Sequence, residues 1–231
     1  MMLKLFLCLL LAHLIADFML QTRKTCKDKK ERHWRSPHHY MHAMMVFSFS
    51  WLVSWDVFFW RAALIIGIAH FLIDIWKSYR DEEVSWFVLD QIAHVSVIAA
   101  MSRFWCLRSD WHMPFDIAPY YVAVAVAVLA CWKPANIFIK LMLKHCSVGI
   151  QGEKDSDFNA GGLIGTIERW LTLIFVCLQR YDALGLLIAA KSIIRFSEAQ
   201  NNRSEYVLAG TLLSIFIAVL AGIWVMCSLR I

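Results

Sequence analysis

Residues 3–20 read LKLFLCLLLAHLIADFML, an apolar run broken only by Lys4 at its start and by His13 and Asp17 toward its end. A helix needs about 20 such residues to cross a bilayer, so this stretch already points to a membrane protein. A leucine-rich run behind one lysine also has the look of a secretory signal. No A-x-A cleavage pattern follows it, however, and two ionisable residues interrupt it, so it reads as a retained first helix. Seven further apolar runs lie at 41–54, 62–76, 84–101, 117–132, 163–178, 183–194 and 207–226.

Composition agrees with this reading. Of 231 residues, 60% are hydrophobic and 18% charged, whereas a soluble domain is about 45–50% apolar and about 25% charged. Mean hydropathy is +0.56, and a soluble fold is excluded. The expected fold is all-α, a polytopic membrane bundle of about eight transmembrane helices, several of them short. The segment KPANIFIKLMLKHC at 133–146 spaces its lysines as an amphipathic interfacial helix does, although a plain linker helix fits as well. Residues 1–105 are expected to form a four-helix unit, and 106–231 to supply the remaining helices of one integrated domain. Seven cysteines are scattered singly, without C-x-x-C spacing, and suggest no disulfide framework.

The formal charge of +5 is explained by where the cations lie. Arg23, Lys24, Lys27, Lys29, Lys30, Arg32 and Arg35 crowd the stretch after the first helix, and such an excess marks the cytoplasmic side. Both termini then fall outside. Among the 23 lysines and arginines, only Lys4, Arg61, Arg103, Arg108, Arg180 and Arg230 map to the outer loops. The charge is thus an orientation signal, and nucleic acid is not an expected partner. The lipid bilayer is, and the basic stretch 21–38 also offers a surface for a cytosolic partner.

Ionisable residues inside apolar helices are expensive, and here they repeat. HLIADFMLQ carries His13, Asp17 and Gln21; HFLIDIWK carries His70, Asp74 and Lys77; DQIAH carries Asp90, Gln91 and His94. The H-x-x-x-D spacing sets both groups on one helix face about 6 Å apart along the axis. The motif order reverses where the helix direction reverses, so the aspartates share one depth and the histidines another. His42 enters from the same side. His13, Asp17, His42, His70, Asp74, Asp90 and His94 are therefore candidate ligands of one or two divalent transition metal ions, zinc, manganese or iron. Interhelical His–Asp hydrogen bonds are the competing structural explanation. His33, His38 and His39 fall in the basic stretch, where a solvated or headgroup-facing role is expected.

A second polar group comprises Glu168, Arg169, Lys191 and Arg195, with Glu205 and Thr211 nearby in sequence pattern. Together with Lys77 these are candidates for binding a phosphate or carboxylate, since arginine offers a fork of donors that matches such anions. Alternatively, Glu168 neutralises Lys191 or Arg195 and the pair pins helices together. The GG-x-x-G at 161–165 suits close helix packing.

The motif residues His13, Asp17, Phe18, Gln21, His42, His70, Phe71, Ile73, Asp74, Asp90, Gln91 and His94 resemble the pattern of a bacterial integral-membrane family, domain of unknown function 3307. LIGTIERWL, AAKSIIRF and EYVLAGTLLS are similar to that family's carboxy-terminal extension. The resemblance implies a multi-pass protein of the bacterial inner membrane and a motif set, with no activity attached. A looser similarity is to inner-membrane metal-dependent hydrolases. The reading that follows is a cytoplasm-facing metal-dependent hydrolase of a phosphate-bearing or lipid-like substrate. Its catalytic candidates are Asp17, Asp90 and Gln91, with a non-ligating side chain as general base. A proton- or cation-coupled transporter and a non-catalytic anchor or regulator are the alternatives. Reporter fusions after Lys30 and after Lys154 are both expected to report cytoplasm; a periplasmic signal at either one rejects the orientation.

Overall fold

The structure, a computed structural model, describes residues 1–115, 117–146, 160–196 and 204–228, without the side chains at 160, 194–196 and 204–207. Among the described residues every regular element is helical: α1 (Met2–Leu14), α2 (Arg23–Arg32), α3 (Pro37–Ser54), α4 (Trp60–Ser78), α5 (Val84–Arg108), α6 (Pro119–Ala130), α7 (Lys133–His145), α8 (Ala160–Cys177), α9 (Tyr181–Phe196) and α10 (Ser204–Ser228). Each of the eight apolar runs carries one of these helices. Among the described residues, four spans are long and apolar enough to cross a membrane alone: Met2–Met19, Val57–Ser78, Val84–Arg108 and Leu208–Ser228. Helices α6 and α7, bent by 41° at their junction, make a fifth if taken as one span.

Two local features depart from the expected pattern. After Leu14 the first helix widens into a π-helical segment, Ile15–Met19, which carries Asp17. The basic stretch, expected as a loop, contains α2. Its start is fixed by Thr22, whose side chain accepts from the Thr25 amide while Thr25 reaches back to Thr22. The pairs Lys27–Glu31 and Arg32–Asp28 then support it at the four-residue helical spacing. Ser36 caps α3, with Pro37 in its first turn where a missing amide proton costs nothing.

The chain divides into two compact units, Met1–Val126 and Ala127–Ile231. In the first, the buried stripes of the helices are partly polar and the exposed faces apolar. Ile66, His70 and Asp74 face inward on α4, and Asp90, His94, Ile98 and Ser102 on α5, each set at four-residue spacing. Leu64, Ile65, Ile68, Leu72, Leu89 and Ile92 point outward. That inversion suits a lipid environment, where outward leucines are at home and polar groups need the interior.

One end of this unit is apolar, built from Leu5, Leu9, Val46, Phe59, Ala63, Ile66, Ile98 and Trp111. The Trp111 indole donates to the Ser54 carbonyl at 2.7 Å, and the Trp105 indole to Asp56 at 3.0 Å. The other end holds the histidines and aspartates.

In the second unit α8 packs along α10. Gly222 permits the contact, because a Cβ there would lie 2.5 Å from Val176 Cγ1. Gly222→Ala is expected to lower stability by about 1–3 kcal/mol through overpacking. Gly185→Ala, with nothing within 4 Å of the new Cβ, should be neutral or favourable by about 0.5–1 kcal/mol. Thermal unfolding of both variants in detergent checks the contrast.

Candidate metal centre

Helix α1 with its π segment, and helices α3, α4 and α5, bring all seven candidate ligands of the first unit together. Asp17 Oδ1 lies 3.1 Å from His42 Nε2, 3.3 Å from His70 Nε2 and 3.8 Å from His13 Nδ1. The Nε2 atoms of His42 and His70 are 2.9 Å apart. Asp74 Oδ1 sits 3.9 Å from His94 Nε2, and Asp90 Oδ1 is 3.4 Å from the same nitrogen. The His70 and His94 rings stack with centroids 4.1 Å apart, and His13 tilts against His94 at 5.0 Å. Among the described residues three overlapping triads can hold a metal ion, His13/His70/His94, Asp17/His42/His70 and Asp74/Asp90/His94, each with its ligand atoms within 4.8 Å of one another.

Burial makes this arrangement costly unless something completes it. Both ring nitrogens of His13 and of His39, Nδ1 of His42, Nε2 of His94 and Oδ1 of Asp90 are buried without a hydrogen-bond partner. Native interiors leave few such atoms, and a bound ion or water is the usual reason for a concentration of them. A cavity of about 10 Å³ lies beside the cluster, lined by His13, His70 and His94 on one side and by Val46, Ser50, Ile66, Val97 and Ile98 elsewhere. That is room for one water molecule.

Lysines close the outer edge. Lys29 of α2 is buried and places Nζ 2.7 Å from Asp74 Oδ2 and 3.3 Å from Gln21 Oε1. Lys77, half-buried, donates to Asp90 Oδ2, which also accepts from Gln91 at 2.9 Å. Sequence reasoning missed Lys29, because nothing distinguishes it from the six other cations of the basic stretch. It also misplaced His39. That ring is buried, with Nδ1 3.9 Å from Asp74, not solvated.

The family model described as Protein of unknown function (DUF3307) matches residues 5–122. The chain belongs to this family. No curated protein and no solved structure matches it, and the looser likeness to metal-dependent hydrolases is not shown by these comparisons. The DUF3307 match contains all seven candidate ligands and both lysines that border them.

Beyond the DUF3307 match, the second unit buries Arg169, 1% exposed. Its guanidinium donates to the Cys131 carbonyl at 2.7 Å, to Ser214 at 2.9 Å, to Thr166 at 3.1 Å and to Asn136 Oδ1. Among the described residues these acceptors are all neutral. Lys191 pairs with Glu168, as one of the two sequence readings expected. Asn136 and Ser214 were not foreseen, since single polar residues in apolar helices carry no motif. The side chains of Arg195 and Glu205, and residues Lys154, Asn202, Arg203 and Arg230, lie outside the described residues.

The Lys29–Asp74 pair makes a stability prediction. Asp74→Asn strands a buried ammonium and is expected to cost about 3–5 kcal/mol, most of it recovered by adding Lys29→Met. Lys30→Ala, which removes an exposed partner of Glu82, should cost less than about 1 kcal/mol. Denaturation of wild type, the two single variants, the double variant and Lys30→Ala in one detergent measures the cycle and its control, and additive effects of Asp74→Asn and Lys29→Met would contradict it.

Proposed function

We propose that the protein is a multi-pass protein of the bacterial cytoplasmic membrane whose His/Asp cluster holds a divalent transition metal and hydrolyses a phosphate-bearing or lipid-like substrate. The observation that carries this reading is the convergence of seven imidazole and carboxylate groups, with ring nitrogens of His13, His42 and His94 and one oxygen of Asp90 lacking a hydrogen-bond partner, beside a cavity the size of one water. Imidazole with carboxylate suits zinc, manganese or iron. When bound, such an ion lowers the pKa of a coordinated water toward neutrality.

The side chains supply the rest. Asp17 takes part as a holder of the ion, and Asp90 is the proton-accepting candidate, steadied by the Gln91 amide. Apolar walls at Val46, Ile66, Val97 and Ile98 keep bulk water from the inner end of the cluster. In this reading the chain crosses the membrane eight times with both termini outside, α7 lies in the interface, and the cluster opens toward the cytoplasm. Lys77 in the first unit and, separately, Glu168, Lys191 and Arg195 in the second are the anion-binding candidates, and Arg169 is the strongest of the latter group because its bonds go to neutral oxygens. Anionic phosphate oxygens would make better acceptors for the same fork.

The polar corner at His42, whose Nε2 lies 2.8 Å from Gln21 Nε2 and 2.9 Å from His70 Nε2, favours a second reading as a proton- or cation-coupled transporter. One preparation separates the two. Full-length protein in nanodiscs is expected to retain metal after purification and to cleave bis(p-nitrophenyl) phosphate. Cleavage should stop on chelation, return on adding zinc or manganese, and vanish in Asp17→Asn. Metal-dependent proton flux in proteoliposomes without any ester cleavage would reject hydrolysis in favour of transport.

A further inference from the structure

Three carboxylates line the cluster, and they do not have equal surroundings. Asp74 already has the ammonium of Lys29 on its Oδ2, and Asp90 has that of Lys77. Asp17 has neither: among the described residues its ion-pair partners are His13, His42 and His70 alone. Two built-in cations therefore serve two aspartates, and one aspartate is left facing imidazoles.

The same corner has ligand spacing. His42 Nε2 has three polar atoms around it, Gln21 Nε2 at 2.8 Å, His70 Nε2 at 2.9 Å and Asp17 Oδ1 at 3.1 Å. An imidazole nitrogen makes one in-plane bond, so these contacts cannot all be satisfied as pairwise hydrogen bonds. Converging on a common centre satisfies them. Zinc bonds of about 2.0–2.1 Å at tetrahedral angles set neighbouring ligand atoms about 3.3 Å apart. The edges of the Asp17/His42/His70 triangle are 2.9, 3.1 and 3.3 Å. The Asp74/Asp90/His94 triad is wider, at 3.9 and 3.4 Å to its histidine. The His13/His70/His94 triad contains no anion to offset a dication.

We propose that the cluster holds one metal ion, seated on Asp17, His42 and His70, and that Lys29 and Lys77 set this capacity by occupying the places where a second ion would bind. This rests on the cluster being a metal site. The charge balance explains the limit. With neutral imidazoles, three aspartates and two lysines leave one net negative charge, which a single dication reverses by one unit. A second dication with both lysines retained would leave three uncompensated positive charges in a buried site, where each is costly. Lys29 and Lys77 also hold the outer oxygens of Asp74 and Asp90, leaving the inner oxygens turned toward His94. They are positioning and capacity-setting residues, and neither touches the ion.

The test is a titration of the full-length, chelator-stripped protein in zwitterionic nanodiscs, with zinc by calorimetry and cobalt by visible absorption. Wild type is expected to take up one equivalent with a tetrahedral cobalt spectrum. His42→Ala should weaken binding by at least about tenfold, as loss of a ligand or of its close support does. Asp90→Asn should keep both the stoichiometry and the spectrum. Lys29→Met combined with Lys77→Met should bind a second equivalent, a gain that misfolding does not produce. Two equivalents in wild type, a single equivalent in the double lysine variant, or loss of binding in Asp90→Asn but not in His42→Ala each overturns the assignment while leaving the metal reading intact. Absence of zinc and cobalt binding in wild type overturns both.

Discussion

Carboxylates placed inside an apolar helix bundle require compensation, and that requirement organises the amino-terminal unit. Asp17, Asp74 and Asp90 are each at most 10% exposed at the side chain. In hydrocarbon surroundings a charge without a partner is not tolerated, so each aspartate recruits its own set of neighbours. The four-residue stripes on α4 and α5 turn histidines toward the aspartates. The outward leucines and isoleucines follow from the same rotation, since a helix that turns its polar stripe inward presents its apolar face to lipid. Even α2, a hydrophilic helix with Lys29 as its one buried residue, is tied in by this demand.

The sequence shows the class of fold and the core of the cluster because those rest on local patterns. Apolar runs of membrane length and the i, i+4 spacing of His70 with Asp74, and of Asp90 with His94, survive in the structure as ordinary α-helical geometry. What it hides depends on three-dimensional placement. Lys29 differs from its neighbours only in pointing inward, and the positive-inside rule gives every lysine in a basic stretch the same meaning. His39 is masked for the same reason. The helix α2 was obscured by charge, although its Thr22 and Thr25 capping pair was there to be read. The neutral acceptors of Arg169 come from three different segments and leave no linear trace.

The second unit handles a buried cation by a different route. A guanidinium surrounded by a carbonyl, an amide oxygen and two hydroxyls is hydrogen-bonded but not neutralised. Hydrogen bonds spread the charge over several dipoles without cancelling it, whereas Lys29 and Lys77 of the first unit meet carboxylates directly. Glu168, adjacent in sequence, is engaged with Lys191.

The π-helical segment Ile15–Met19 has a consequence for how the gene can vary. A π turn accommodates one residue more than an α turn, and such segments concentrate at functional sites. The extra residue is absorbed within the turn itself and sets where Asp17 falls relative to His13. Removing one amino acid between His13 and Asp17 would let the turn relax to the α form, keeping the flanks nearly in phase but shortening the His13–Asp17 spacing from four residues to three and turning the aspartate about the axis. The aspartate would then leave the imidazoles while the hydropathy of the span stayed almost unchanged. Length, as much as residue identity, is therefore under constraint in this stretch, and a deletion there would pass every test of membrane insertion while dismantling the cluster.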